Sequence, residues 1–368
     1  MLAVEADALA YKGETVSDAA YWAHAVRESG RTLTEMQDEF ARLKTGRGRI
    51  DLREYVQYRL FDTARTRRED LDRFISGARH WDLAHHCNAR TWDAVTEDKW
   101  LYAKTLRDHV VRIPETLAVI DRGIRAYPGT QKISSSAQLK DFATQAGAAP
   151  FFCKPVWGIA GFGAFRCDGA DADGLHISGR GTVPYDTVLD TTIGPSPYIV
   201  QPVYANHAFL EQFTRSLATV RVVLLVYDDV IKIPFAVLKL PSAQNIVDNF
   251  WKPGNLICDI SLTNGQIRTI RGHSKFGVID YAAHPTVSQP LLGEALPFWP
   301  EVIAAAQNTA LVFPHSRYQS MDIAITPEGP LVVEVNPGGA FELPQFASGR
   351  GFLTDDVLHF LDACQYKL

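Results

Sequence analysis

The hairpin pattern of residues 321–339, MDIAITPEGPLVVEVNPGG, constrains the fold more than any other part of the chain. Two short apolar runs are joined by a Pro-Glu-Gly turn, and this pattern predicts a pair of antiparallel β-strands. Asp322 lies in the first strand, and Glu334 and Asn336 lie at the end of the second. Because side chains alternate between the faces of a strand, Glu334 and Asn336 share one face, and the antiparallel return brings Asp322 beside them.

These three side chains predict a site for a hard cation. Carboxylate and amide oxygens are the ligands that Mg²⁺ prefers when it is held against nucleotide phosphates. We therefore predict that Asp322, Glu334 and Asn336 are metal ligands, with Mn²⁺ as the alternative ion. The competing interpretation is an ordinary hairpin with solvated acids, although acids on buried-type strands seldom lack a partner.

The end of this hairpin resembles a known family. The sequence Glu-Val-Asn-Pro-Gly-Gly at residues 334–339, with an aspartate twelve residues before the glutamate, resembles the metal-binding end of the ATP-grasp ligases. Glutathione synthetase and D-alanine:D-alanine ligase are familiar members. The resemblance implies an α+β ATP-grasp fold, in which two α+β subdomains grip ATP, and it implies ATP and Mg²⁺ as cofactors.

Two lysine segments precede the hairpin. Lys154 ends a short apolar run and is followed by a glycine-rich segment with glycines at positions 158, 161 and 163, which free the backbone to approach phosphate oxygens. In ATP-grasp enzymes the matching lysine contacts the phosphates and the loop folds over them, so the resemblance implies that Lys154 and Gly161 bind ATP. The glycine pattern alone is also typical of a plain mobile hairpin.

The earlier lysine segment, residues 97–104, resembles the family's Asp-Lys helix. The resemblance implies that Lys99 reaches the α-phosphate region, with Lys104 as the alternative one helical turn later. Without a nucleotide site, either lysine would be an ordinary surface residue of an amphipathic helix.

The apolar run at residues 198–204 resembles the segment that links the two halves of the family's fold and binds adenine through its backbone. The residues implied to bind the nucleotide are Gln201, Pro202, Val203 and Tyr204. Proline has no N–H, so Pro202 offers only its carbonyl to the adenine amino group, and Tyr204 supplies the next N–H. The alternative is a buried strand without a ligand.

An arginine near the start of the apolar run at residues 219–226 is costly unless its guanidinium meets an anion. The run resembles a strand of glutathione synthetase whose arginine contacts the transferred phosphate. In D-alanine:D-alanine ligase an arginine precedes the first metal aspartate by two residues, but Ser320 stands there in this chain. We therefore expect Arg221 or Arg317 to supply the charge that stabilises the reaction, together with Lys154.

The segment of residues 242–256 lies where relatives have an asparagine- and glycine-rich loop. The resemblance implies polar contacts to substrate from Asn249, Lys252 and Asn255.

The first ninety residues carry a different pattern. Ser17 and Asp18 can cap a helix, and apolar residues recur at helical spacing from Asp18 to Leu43 and again from Asp51 onward. We predict a mainly helical N-terminal region at residues 1–90, followed by ATP-grasp subdomains at residues 91–200 and 201–368. This plan is similar to the sugar-transfer-associated group of ATP-grasp proteins.

Composition limits the classes of partner. A net charge of −5 and a pI near 6.1 give no basic surface for nucleic acid. Five scattered cysteines without a C-x-x-C pair favour a reducing cytoplasm, and the sequence predicts neither a signal peptide nor a membrane span. The cluster of His80, His85, His86 and Cys87 lacks the usual ligand spacing, so we favour a structural role over metal binding. The sequence leaves open whether the protein forms a homodimer.

These features predict an ATP- and Mg²⁺-dependent ligase that joins a carboxylate to an amine through an acyl phosphate and releases ADP and phosphate. The substrates would be small or carrier-linked acids and amines. One alternative is a phosphotransferase of the same fold that makes a phosphate ester. A second alternative is a nucleotide-binding partner protein without catalysis, although the acids and lysines that catalysis needs are present.

Overall fold

The computed structural model describes residues 2–11, 15–107 and 111–368, and it contains two β-sheets flanked by helices. The described chain starts with a helical region and continues into the two sheets, so the predicted α+β class with a mainly helical N-terminal region is confirmed. No helix within the described ranges is long and apolar enough to cross a bilayer.

The first sheet has seven strands in the spatial order β2-β1-β7-β3-β4-β5-β6. Only β1 and β2 pair in parallel, and the other neighbours are antiparallel. The strands are β1 (Ala118–Ile120), β2 (Gln131–Ile133), β3 (Phe151–Pro155), β4 (Phe165–Ala170), β5 (Leu175–Ile177), β6 (Gly181–Val183) and β7 (Tyr198–Pro202). The domain boundary predicted at residue 200 therefore falls inside β7, which belongs wholly to this sheet.

The second sheet is antiparallel throughout and has the order β12-β11-β10-β9-β8-β13-β14. Its strands are β8 (Thr219–Tyr227), β9 (Val230–Leu240), β10 (Leu256–Asp259), β11 (Arg271–Ser274), β12 (Gly277–Asp280), β13 (Tyr318–Thr326) and β14 (Gly329–Asn336). Strands β13 and β14 form the predicted hairpin, and Asp322 lies directly opposite Glu334 in the register. On its other side Asp322 lies opposite Arg221 of β8.

The described part of the N-terminal region contains five α-helices, and a break at Gly30 divides the first helical stretch that the sequence predicts. The helices are α1 (Ala3–Tyr11), α2 (Asp18–Ser29), α3 (Leu33–Thr45), α4 (Leu52–Gln57) and α5 (His80–Cys87), and 3₁₀ turns cover Arg68–Arg73, Gly77–Arg79 and Arg90–Trp92. The sequence predicts one helix from Asp18 to Leu43, but Gly30 ends α2 in the left-handed conformation with φ of 67°. Thr32 then starts α3 with a capping box to Glu35.

The remaining helices support the two sheets. They are α6 (Asp93–Glu97), α7 (Lys99–Leu106), α8 (Ser136–Ala143), α9 (Tyr185–Thr187), α10 (Ala208–Glu211), α11 (Trp299–Val312), α12 (Glu342–Ser348) and α13 (Asp355–Ala363), and a π-helical turn at Val188–Ile193 continues α9. Asp98 caps α7 by accepting hydrogen bonds from the backbone N–H groups of Trp100 and Leu101, and this cap fixes the position of Lys99.

The N-terminal helices share a hydrophobic core with the second sheet. Met36 and Tyr55 belong to the same buried cluster as Val237 of β9, Ile257 of β10 and Phe346 of α12. Because these apolar surfaces cover one another, the helical region contributes to the stability of the sheet that carries the acid hairpin.

We predict that Met36→Ala lowers the free energy of unfolding of the whole protein by about 2–5 kcal/mol, because Met36 is fully buried in this shared core. Denaturant unfolding followed by circular dichroism measures the change. Leu311→Ala, in a residue that is 64% exposed, is the control and should change stability by less than about 0.5 kcal/mol. Two separate transitions, of which Met36→Ala shifts only one, would show that the helical region folds independently.

Candidate functional site

Two adjoining cavities lie between the glycine-rich loop that follows β3 and the hairpin of β13 and β14. The first has a volume of about 1130 Å³ and the second about 1790 Å³, both including space open to solvent. The two cavities share the loop residues 158–161 and the side chains of Asp248, Asp322 and Glu334. We call Asp322 and Glu334 the acid pair, and this pair lies where the cavities meet.

The first cavity brings together every residue that the sequence predicts for nucleotide binding. Lys99 and Lys154 line its inner end, the glycine-rich loop covers one side, and the end of β7 and the residues after it form another wall. The predicted residues in its lining are Lys99, Lys154, Gly161, Gln201, Pro202, Val203 and Tyr204. Lys104, the alternative to Lys99, is absent from the lining of both cavities, and its ammonium donates to the Gly129 carbonyl at 3.3 Å.

Asp322 is buried and lies in a network of two cations. Its oxygens accept two hydrogen bonds from the Arg221 guanidinium, at 2.9 and 2.7 Å, and an ion pair joins it to Lys239 at 3.0 Å. Lys239 also pairs with Asp248 at 3.0 Å, and the Thr219 hydroxyl donates to Asp248. Although burial acts to raise the pKa of Asp322, Arg221 and Lys239 hold it well below its usual range.

Glu334 pairs with a lysine from another element. The Lys99 ammonium lies 3.0 Å from Glu334 and also donates to the Gly158 carbonyl at 3.1 Å. Burial acts to raise the pKa of Glu334, but Lys99 and Lys154 lower it below its ordinary value. Both members of the acid pair are therefore ionised at neutral pH.

Lys154 has no ion pair or hydrogen bond to its ammonium group among the residues that the structure describes. It projects from β3, whose register places it beside Ile199 of β7, and it lines the first cavity. Burial lowers the pKa of Lys154 to about 8, although Glu334 acts in the opposite direction. An uncommitted ammonium at the inner end of a cavity is available to an anionic ligand.

The acid pair and Asn336 fit a hard cation by their chemistry. Asn336 lies opposite Ser320 in the hairpin and lines the second cavity, and its buried amide nitrogen has no hydrogen-bond partner among the described residues. Over the described ranges, no group of three His, Cys, Asp or Glu side chains is arranged to hold a metal ion. A cation here would depend on two carboxylates, one amide oxygen and the oxygens of its ligand.

The glycine-rich loop is held by contacts from two other segments. The amide of Asn249 donates to the Ala160 carbonyl at 2.9 Å, and a Cβ at Gly161, whose φ is 70°, would lie 3.1 Å from Val247. From α1, Asp7 accepts a hydrogen bond from the Gly163 N–H at 2.8 Å and pairs with Lys252 at 3.5 Å. These contacts keep the loop over both cavities.

The residues predicted to contact substrate therefore separate into two groups. Asn249 lines the second cavity, but Lys252 and Asn255 line neither cavity. Asn255 is 1% exposed, and its side chain donates to two backbone carbonyls and accepts from the Ser242 N–H at 2.8 Å. Asn255 holds its own loop together and Lys252 pairs with Asp7, so the structure places both outside the two cavities and their contact with substrate stays a prediction.

The two arginines proposed to supply charge lie in different places. Arg221 lines the second cavity, whereas Arg317 donates to the backbone carbonyls of Val226 and Ala363 and lines neither cavity. Position therefore favours Arg221, and the catalytic role of either arginine stays a prediction. Ser320 is buried and donates to the Gly338 carbonyl at 2.6 Å, so it supports the turn after β14.

Sequence reasoning did not find Lys239, Asp248 or Asp7. Lys239 lies near the end of β9, in the apolar run that follows Lys232, as Arg221 lies near the start of an apolar strand, and this shared pattern could have identified it. Nothing in the pattern around Asp7 indicates its contact with a loop more than 150 residues away. Among the clustered histidines, His80 accepts from the Gly339 N–H at 3.0 Å and lines the second cavity.

Several solved structures are similar to part of this chain. N5-carboxyaminoimidazole ribonucleotide synthetase in an ADP complex is 10% identical, with 74% of this chain and 52% of that protein covered and a TM-score of 0.43. An ATP-grasp ligase complexed with a minimal precursor is 14% identical, with 75% and 64% covered and a TM-score of 0.39. The D-Ala:D-Ser ligase from Enterococcus faecalis is 12% identical, with 72% and 61% covered and a TM-score of 0.40. The chain thus spans between about half and two thirds of the length of these proteins.

No curated protein matches the chain. The sequence model of the sugar-transfer associated ATP-grasp family matches residues 78–358, which are more than half of the chain. This match includes both sheets and every residue that lines the two cavities except Gly77, and it confirms the predicted fold. The chain belongs to the sugar-transfer associated ATP-grasp family.

Proposed function

We propose that the protein is an ATP- and Mg²⁺-dependent ligase that joins a carboxylic acid to an amine and releases ADP and phosphate. One observation carries the proposal. Four cations, Lys99, Lys154, Arg221 and Lys239, surround the acid pair at the junction of two cavities. The first cavity has a wall of backbone groups suited to adenine. The second cavity gives another ligand access to the acid pair.

The first cavity is the proposed nucleotide site. The Pro202 carbonyl and the Tyr204 N–H would contact the adenine edge, as backbone groups at the end of β7. The phosphates would extend toward Lys99 and Lys154 under the glycine-rich loop, whose backbone N–H groups can donate to phosphate oxygens.

The acid pair and Asn336 would hold Mg²⁺, with Mn²⁺ as the alternative. When bound, the ion would act as a Lewis acid and as a template for the phosphates. The two carboxylates would then contact both the ion and the cations with which they are already paired. Both carboxylates would therefore stay ionised when the ion binds or leaves.

Arg221 would stabilise the phosphoryl group during transfer. Two of its nitrogens bind Asp322, and its remaining terminal nitrogen, Nη1, makes no hydrogen bond to the described residues although Arg221 lines the second cavity. Asp322 therefore fixes the orientation of the guanidinium while one N–H edge stays available to an anion.

The reaction would proceed in two displacements. An oxygen of the acid substrate attacks the γ-phosphorus in line, the bond to the β-phosphate oxygen breaks, and ADP leaves. The amine nitrogen then attacks the acyl carbon of the acyl phosphate, and phosphate leaves with the electron pair of the broken C–O bond while the nitrogen loses a proton. The closed glycine-rich loop would keep water from the acyl phosphate before the amine reacts.

We predict that turnover yields ADP and that hydroxylamine traps the activated acid as a hydroxamate. The measurement is a screen of carboxylic acids with ATP and hydroxylamine, in which nucleotide products are separated by chromatography. AMP and pyrophosphate would contradict the proposed mechanism. ADP formation with a phosphate ester and no hydroxamate would instead support a phosphotransferase.

We predict that Mg²⁺ raises the affinity of the protein for ADP. Asp322→Asn and Glu334→Gln should each lower the affinity measured in Mg²⁺ by at least about 10-fold, because a negative ligand of the ion is lost. Titration calorimetry with and without Mg²⁺ measures it. Asp322→Asn should also cost about 3–5 kcal/mol of stability, because Arg221 loses its buried partner. Glu328→Gln, on the exposed turn of the same hairpin, is the matched control and should retain the gain. An unchanged gain in both acid variants would contradict the metal site.

We predict that ADP affinity falls as the pH rises through about 8, because the pKa of Lys154 in the free protein lies near 8 and only the protonated lysine attracts phosphate. Above that pH, binding should take up a proton, since phosphate favours the charged lysine. Calorimetry in two buffers of different ionisation enthalpy measures this uptake. Lys154→Arg should abolish the uptake while Lys104→Arg should not, and equal proton uptake in wild type and Lys154→Arg would assign the pH dependence to another group.

A further inference from the structure

The outer part of the second cavity lies beyond the acid pair, and the two displacements of the proposed reaction assign no role to the residues that line it. Its wall is formed by the start of α5, by the glycine-rich loop and by the segment before α12. Trp81 and Trp157 line it with side chains that are 51% and 50% exposed, and Phe250 forms a further aromatic surface. Large indole rings with this much exposure inside a concave wall offer flat contact surfaces to a ligand.

The charges of this outer part are negative. Apart from Arg221 and Lys239, which are paired with acids, the cavity lining contains no lysine or arginine. Burial lowers the pKa of His80 to about 4, so its imidazole is neutral near pH 7. The lining acids outside the Asp322 network and the Lys99–Glu334 pair are Glu97 and Glu342, and neither forms an ion pair with a described residue.

Glu342 lies at the boundary of the cavity, beside Gly77. It stands in the first turn of α12, and a Cβ at position 77 would lie 2.3 Å from its Oε1 atom, so only glycine allows the carboxylate to lie there. The helical N-terminal region thus supplies the space in which Glu342 lies. Desolvation raises the pKa of this carboxyl, and the charge of Arg53 acts in the opposite direction without forming an ion pair to Glu342 in the described structure. A cationic ligand in direct contact would offset the desolvation further.

We propose that the outer part of the second cavity binds the amine substrate, as an ammonium group carried on a flat apolar or ring-shaped body. Glu342 pairs with the ammonium, and Trp81 and Trp157 contact the body of the substrate through their ring faces. This inference rests on the proposed ligase function and adds the class of its second substrate. The acid substrate is disfavoured in this part, because its carboxylate would face Glu97 and Glu342, and Arg221 and Lys239 are the lysine and arginine residues in the described lining of the cavity.

The chemistry assigns each substrate to a different part of one cavity. The carboxylate binds at the inner end, where the free edge of Arg221 lies, and the amine approaches from the outer end. This order lets the acid react with the nucleotide first and leaves the amine positioned behind it.

The test uses two probes of equal shape and opposite charge, phenethylamine and 3-phenylpropionate, titrated calorimetrically into the full-length protein. Phenethylamine should bind more tightly. Glu342→Gln should weaken its binding about 10-fold by removing the charged partner, and Trp81→Leu about threefold by removing a ring contact. Glu301→Gln, an exposed carboxylate of α11 outside both cavities, is the matched control and should leave the binding unchanged. ADP titrations of every variant should match the wild type, which shows that the fold and the first cavity are intact.

Three results would overturn this inference: equal or tighter binding of 3-phenylpropionate, no saturable binding of phenethylamine, or equal phenethylamine affinity in Glu342→Gln and wild type. A failure of the wild-type protein to bind ADP would instead overturn the proposed ligase function. The nucleotide titration therefore separates the two failures.

Discussion

The pairing of Arg221 with Asp322 is the interaction on which the centre of the second sheet depends. The register of β8 against β13 places the two residues opposite each other, and Lys239 of β9 completes the neutralisation. A carboxylate as buried as Asp322 is unfavourable without cationic partners. The strand order β9-β8-β13 brings those partners beside it, and their pairing in turn favours this strand order over others. The same register places Glu334 on the other side of Asp322, so the element that satisfies the buried charge also builds the acid pair.

The helical N-terminal region contributes to both stability and binding. Its helices bury one face of the second sheet, and the start of α5 forms part of the wall of the second cavity. A substitution in this region can therefore change the shape of the second cavity by displacing a helix rather than by removing a contact. The region lies mostly before residue 78, where the match to the family begins, whereas the residues of α5 that line the second cavity lie within the match.

Local patterns in the sequence predicted the parts of the site that lie within one element. The acid hairpin follows from strand alternation and a turn, and its register could be predicted because only two strands and a short turn are involved. The preference for Arg221 over Arg317 could not be predicted, since it depends on which strand lies beside β13. Asn255 shows a second limit, because a polar residue in a loop has the same sequence pattern whether it binds a ligand or its own backbone. The break at Gly30 was missed because helical spacing continues across it, and only the left-handed conformation of the glycine separates the two helices.

The contact of Asp7 with the glycine-rich loop has a kinetic consequence. Asp7 accepts from the Gly163 N–H and pairs with Lys252, so α1 joins the loop over the cavities to the segment on the opposite side. Any movement that separates these two segments must break at least one of these contacts. In the proposed nucleotide site, entry and release of a nucleotide under the loop would be coupled to the docking of α1, and the lifetime of the closed loop would increase with the strength of the two contacts that Asp7 makes.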